Sequence, residues 1–151
     1  MLGSLALVAA GLWLRGYAAG YVKKNAELTT TGPYAYTRNP LYLGSMLIAA
    51  GFAIASARWE ILVALAVLFA AIYIPTIQSE EIWLREHFAD FDAYARRVPR
   101  LLPRLSREPT SGTDGGIFSW ALYRKHREYN ALIGSVAIYL ALILKFVVFR
   151  R

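Results

Sequence analysis

The sequence predicts an all-α integral membrane bundle of about four transmembrane helices, with a cytoplasmic interfacial helix after the third. Three observations carry this. Of the 151 residues, 57% are hydrophobic and 18% charged, against about 45 to 50% and about 25% in soluble domains. Four stretches are apolar enough to lie in lipid, where roughly 17 to 25 residues span the hydrocarbon. The basic residues gather on one side of those stretches, as cytoplasmic loops require.

Each element follows in order. Leu2 to Val22 is interrupted only by Arg15. Lys23 and Lys24 follow this apolar run rather than precede it, which argues against a cleavable signal peptide. The second helix, Leu41 to Ala57, is uncharged and short. The third covers residues 60–78, uncharged from Ile61, and forms a tight hairpin with the second through Ser56 to Trp59. Residues 79–94 are expected to continue as the interfacial helix, with Leu84, Phe88 and Phe91 on one apolar stripe. Residues 104–116 are rich in Ser, Gly, Thr and Pro and read as a linker. Residues 117–151 hold a basic aromatic stretch, Trp120 to Tyr129, and a last apolar helix, Ala131 to Val148.

Charge and composition exclude several classes. The net charge of +7 would suggest nucleic acid in a soluble chain. Here twelve of the 17 basic residues fall in the two long loops, so those loops are expected in the cytoplasm and no nucleic-acid partner is expected. No Cys is present, which removes disulfides and thiolate chemistry, and two His leave little for a metal site. Gly16 and Gly20 form a GxxxG pair that permits close helix packing or a homodimer.

Two motifs look chemical. In Thr-Gly-Pro-Tyr-Ala-Tyr-Thr-Arg-Asn-Pro-Leu-Tyr-Leu-Gly, residues 31–44, Asn39 suits a helix N-cap and Pro40 the first helical position. The second helix then starts with its positive dipole end in the loop, where Arg38 adds a grip on a carboxylate or phosphate. Glu80 and Glu81 sit at the expected C-terminal end of the third helix, where two carboxylates oppose the dipole. Antiparallel helices place Arg38 and Glu80 on the same side, and Pro75 is expected to kink the third helix toward the second. A positive helix end, an acidic pair and several tyrosines describe a pocket for a ligand bearing both charge signs. A snorkelling Arg38 or a plain ion pair remains the structural alternative. Arg15, inside the first helix, is expensive in lipid and is expected to face the bundle interior, pair with Glu80, hold an anionic acceptor or snorkel.

The order Gly-Pro-Tyr, Arg-x-Pro-x-Tyr-x-Gly, an apolar hairpin, Glu-Glu, Phe-x-x-x-Tyr and Val-Pro-x-x-x-Pro, from about Arg15 to Pro103, resembles the isoprenylcysteine carboxyl methyltransferase and phospholipid methyltransferase superfamily. The resemblance implies methyl transfer from S-adenosylmethionine to a lipophilic acceptor, an isoprenylcysteine-like carboxylate or a lipid amine. It assigns cofactor binding to Arg38, Asn39, Pro40, Tyr42 and Gly44 and to Glu80 and Glu81. Tyr34 and Tyr36 join from the Gly-Pro-Tyr part, and Tyr94 and Pro99 from the segment that folds back over the cofactor. Arg38 and Glu81 are the catalytic candidates, with His87 a further base for an amine or thiol acceptor. Asn39 stands where the family usually has His, and Ala89 where Gly is common. The sequence is also similar to sterol-reductase-like enzymes, which carry Arg-His-Pro-x-Tyr; an NADPH-dependent lipid reductase and a non-enzymatic membrane adaptor are the alternatives. The expected location is a bacterial inner membrane with the site facing the cytoplasm.

Overall fold

A computed structural model describes residues 2–23, 27–106 and 116–148. Among these it is all-helical: α1 (Leu2–Ala19), a short 3-10 turn (Gly32–Ala35), α2 (Pro40–Ala55), α3 (Trp59–His87), α4 (Phe91–Arg97), α5 (Trp120–Lys125) and α6 (Tyr129–Val148). Two helices, α1 and α3, are long and apolar enough to cross a membrane, while α2 and α6 are shorter apolar helices. At 1.5 Å per residue the 16 residues of α2 reach about 24 Å and the 29 of α3 about 44 Å. Most of the expected linker, residues 107–115, lies outside the described residues.

The antiparallel pair α1 and α2 is the tightest part of the bundle, because glycines let the two backbones meet. A Cβ on Gly11 would stand 2.6 Å from the Gly44 carbonyl oxygen, and one on Gly51 2.8 Å from the Ser4 carbonyl oxygen. No larger residue fits there without moving a helix. The GxxxG pair has a different use. Gly20 receives the ring of Phe118 and Gly16 that of Tyr123, so these positions are covered by the chain's own C-terminal stretch. That stretch is fixed further where the Ser119 amide donates to the Gly20 carbonyl at 2.9 Å and His126 Nδ1 to the Ala19 carbonyl at 3.1 Å.

The third helix differs from expectation. It does not end at residue 78 but runs unbroken past Pro75 to His87, and the single interfacial helix 79–94 is replaced by the end of α3, a break at Phe88 to Asp90 and the short α4. Charged residues such as Glu80, Glu81 and Arg85 leave lipid but do not stop a helix, and no Gly or Pro follows Pro75 until Pro99. Glu80 and Glu81 therefore lie inside α3, more than a turn before its end, and the expected clash with the helix dipole is relieved. Phe91, Tyr94 and Val98 of the α4 segment form a buried cluster against Leu28, Leu84 and Phe88, which folds the chain back under α3.

Candidate active site

Where α2 begins and α3 runs beyond its apolar part, a cleft of about 660 Å³ opens. Among its walls are Tyr34, Arg38, Asn39, Pro40, Tyr42, Glu80, Glu81 and Tyr94. Eight of the eleven residues expected from the sequence thus meet in one place. Tyr36, Gly44 and Pro99 are not in the wall. Gly44 packs against Arg15 and Gly11 of α1. Tyr36 and Pro99 act through their backbones, the Arg38 amide donating to the Pro99 carbonyl at 2.9 Å and the Arg104 amide to the Tyr36 carbonyl at 3.0 Å.

The two glutamates have different duties, since successive helical residues point about 100° apart. Glu81 is buried, and its carboxylate is held from two sides. Arg38 Nη1 lies 3.0 Å from Oε1, while Arg100 donates from Nε to Oε1 at 3.1 Å and from Nη2 to Oε2 at 2.7 Å. Glu80 is exposed to the cleft and accepts a hydrogen bond from the Tyr42 hydroxyl at 3.0 Å. The Tyr42 ring lies 4.7 Å from that of Tyr73, which stacks on Phe69. Two guanidinium groups on one buried carboxylate leave a surplus positive charge. Arg38 also has a buried Nε with no hydrogen-bond partner among the described residues, an arrangement that costs about 1 to 3 kcal/mol unless something accepts from it.

The segment after α4 closes the site from below. Thr37 Oγ1 donates to the Leu101 carbonyl at 2.9 Å and Asn39 Nδ2 to the Arg100 carbonyl at 2.8 Å. Asn39 occupies the N-cap position of α2, but its side chain does not cap the helix. It is spent on holding Arg100 beside Glu81. The buried Tyr94 hydroxyl donates to the Tyr34 carbonyl at 2.7 Å. Burial pushes the phenols of Tyr34 and Tyr94 well above their ordinary value, so both remain neutral at any working pH.

Sequence reasoning missed two groups, Arg100 and Glu128, and gave Arg15 the wrong partner. Arg100 counted only toward the loop charge, although it sits inside the Val-Pro-x-x-x-Pro motif, which was the available signal. Arg15 pairs with Glu128 and not with Glu80: its Nε and Nη2 donate to the two carboxylate oxygens, each at 2.9 Å, and Nη1 donates to Ser45 Oγ. Glu128, 113 residues away in sequence, carried no signal. His87 stacks on Trp83 outside the cleft, with Nδ1 donating to the Trp83 carbonyl at 2.8 Å, so it is no base for this site.

Apolar helices that carry a charged, tyrosine-lined cleft at one end define a helical protein of the membrane class with a candidate binding site. The comparison with known families gives the particular one. The profile of the phospholipid methyltransferase family matches residues 2–90, and the chain belongs to this family, within the superfamily that includes the isoprenylcysteine carboxyl methyltransferases. It is similar to the nickel-cobalt-cadmium resistance protein NccN of Alcaligenes xylosoxydans xylosoxydans, 39% identical over 135 residues, covering 89% of this chain and 55% of that protein. It is also similar to the cobalt-zinc-cadmium resistance protein CzcN of Cupriavidus metallidurans, 37% identical over 106 residues, covering 70% of this chain and 48% of that protein. The chain spans about half the length of these curated relatives. No solved structure matches it.

Proposed function

We propose that the chain is an integral membrane methyltransferase that takes S-adenosylmethionine as donor and a lipophilic acceptor at the cytoplasmic face of a bacterial inner membrane. The family membership supports the reaction class. The single observation that carries the reading is that Arg38, Glu81, Glu80 and Tyr42 line one cleft, with Arg100 bound to the Glu81 carboxylate. In the proposed setting α1, α2, α3 and α6 all lie in the membrane. The basic loops face the cytoplasm.

The residues present fit that donor. Its amino-acid end bears both charge signs, and the cluster presents a surplus cation with an orphaned Arg38 Nε next to an exposed carboxylate. Arg38 with the start of α2 would hold the carboxylate, Glu80 the ammonium or ribose hydroxyls, and the Tyr42 and Tyr73 rings the cationic sulfur. Once bound, the donor supplies an electrophilic methyl group on a sulfonium. The chain's own work is alignment and exclusion of water. Glu81, engaged on both oxygens, positions Arg38 and Arg100 and is not available as a base. A carboxylate acceptor is ionised at neutral pH and needs none; for an amine, Glu80 is the carboxylate open to the cleft.

The two relatives are named for resistance to metal ions, and we carry over metal stress as the setting. The substrate in this reading is a membrane-borne acceptor. Calorimetry on the detergent-solubilised protein tests the proposal. Micromolar binding of S-adenosylhomocysteine is expected; binding of NADPH alone would make it a reductase, and response to neither an adaptor.

A further inference from the structure

The family profile ends at residue 90, yet one wall of the cleft comes from residue 128. The C-terminal stretch is docked so that this happens. Phe118 and Tyr123 seat on Gly20 and Gly16, and His126 and Ser119 are tied to the end of α1. Arg127 then turns the chain at φ 53°, which delivers Glu128 to Arg15. The pair is bidentate, and the Glu128 side chain is only 9% exposed.

The charges lining the cleft show what this pair is for. Lys23 pairs with Glu27, and Arg38 with Glu81. Arg15 is the cation of the described wall outside the Lys23–Glu27 pair and the Arg38–Glu81–Arg100 cluster, and its counter-charge is Glu128, Glu80 being the wall's further carboxylate. Without Glu128, a guanidinium would face the cleft with only the neutral Ser45 hydroxyl and Leu41 carbonyl as partners. A bare cation there repels a cationic ligand while leaving a neutral one of the same shape unaffected.

We propose that Glu128 is a specificity-determining residue, the counter-ion by which the C-terminal hairpin neutralises Arg15 and makes the cleft receptive to a ligand with a positively charged centre. The inference rests on the proposed function, since it concerns how that site accepts a sulfonium. Glu128 acts through Arg15 and is a positioning residue. A unit charge about 10 Å away at an effective dielectric of about 20 changes affinity by about ten-fold.

The test compares calorimetric Kd values for S-adenosylmethionine and S-adenosylhomocysteine, which differ by the methyl group and the charge it leaves on sulfur. Glu128→Gln is expected to weaken S-adenosylmethionine relative to S-adenosylhomocysteine by about ten-fold. Arg15→Gln, which leaves Glu128 bare, should move the ratio the other way. A purely structural pair would weaken both ligands alike, so an unchanged ratio in whichever variant folds overturns the inference while the function stands. Wild-type protein that binds neither ligand overturns the function, and this inference with it.

Discussion

The α1–α2 pair and the α2–α3 pair are built on opposite principles. In the first, glycines bring backbone against backbone, and the contact runs from Gly44 at one end to Gly51 near the other. In the second, the apolar length of α3 is largely unburied by the rest of the protein, and Val67, Leu68, Ile72 and Ile74 are exposed. The links between α2 and α3 gather at the polar end, where Tyr42 meets Tyr73 and Glu80 and where Arg38 meets Glu81. One pair is a packed scaffold. The other is an apolar helix pinned by its functional residues, and its exposed length is what a surrounding lipid would cover.

The comparison breaks most sharply at Glu81. Removing its charge leaves Arg38 and Arg100 without their shared partner, so Glu81→Gln should lower stability by about 3 to 5 kcal/mol, the loss found when one partner of a buried ion pair is removed. Thermal unfolding in detergent measures this. Gly44→Val forces bulk between two backbones and should cost about 2 to 3 kcal/mol in the same assay. Tyr94→Phe removes the bond to the Tyr34 carbonyl and should cost about 1 to 2 kcal/mol. At the other extreme, Leu68→Ala on the exposed part of α3 should stay within about 0.5 kcal/mol. A large loss there would mean that α3 packs on protein along its length.

The buried phenols add a pH dependence. Burial raises the folded-state pKa of Tyr34 and Tyr94 above the ordinary value of about 10. The unfolded chain therefore ionises first. Their contribution to stability is complete below pH about 10 and is lost progressively as pH rises beyond it. Unfolding midpoints measured from pH 8 to 11 should fall only in the upper part of that range, and less steeply in Tyr94→Phe.

Much of the site was legible in the sequence because it lies near helix ends that the sequence marks. Pro40 announces the start of α2, and antiparallel hairpin geometry then brings Arg38 toward the glutamates. Which glutamate turns inward was not legible. That depends on the rotation of α3, and Glu81 is buried while Glu80 faces the cleft. The end of α3 was misplaced because charge was read as a stop signal, although charged residues leave lipid without ending a helix. The GxxxG pair read as a helix-to-helix contact, but it receives Phe118 and Tyr123 from beyond residue 115. Arg15–Glu128 could not be found from spacing, because the two residues come together only when the stretch from Phe118 to Arg127 docks on α1.

The most direct test is a titration of S-adenosylhomocysteine into wild-type protein and Arg38→Ala in the same detergent. The account predicts micromolar binding to the wild type and a loss of about 1.5 to 3 kcal/mol in the variant, the range for charge-assisted hydrogen bonds. Equal affinity in the two proteins would contradict it, because the guanidinium at the head of α2 would then have no part in holding the ligand.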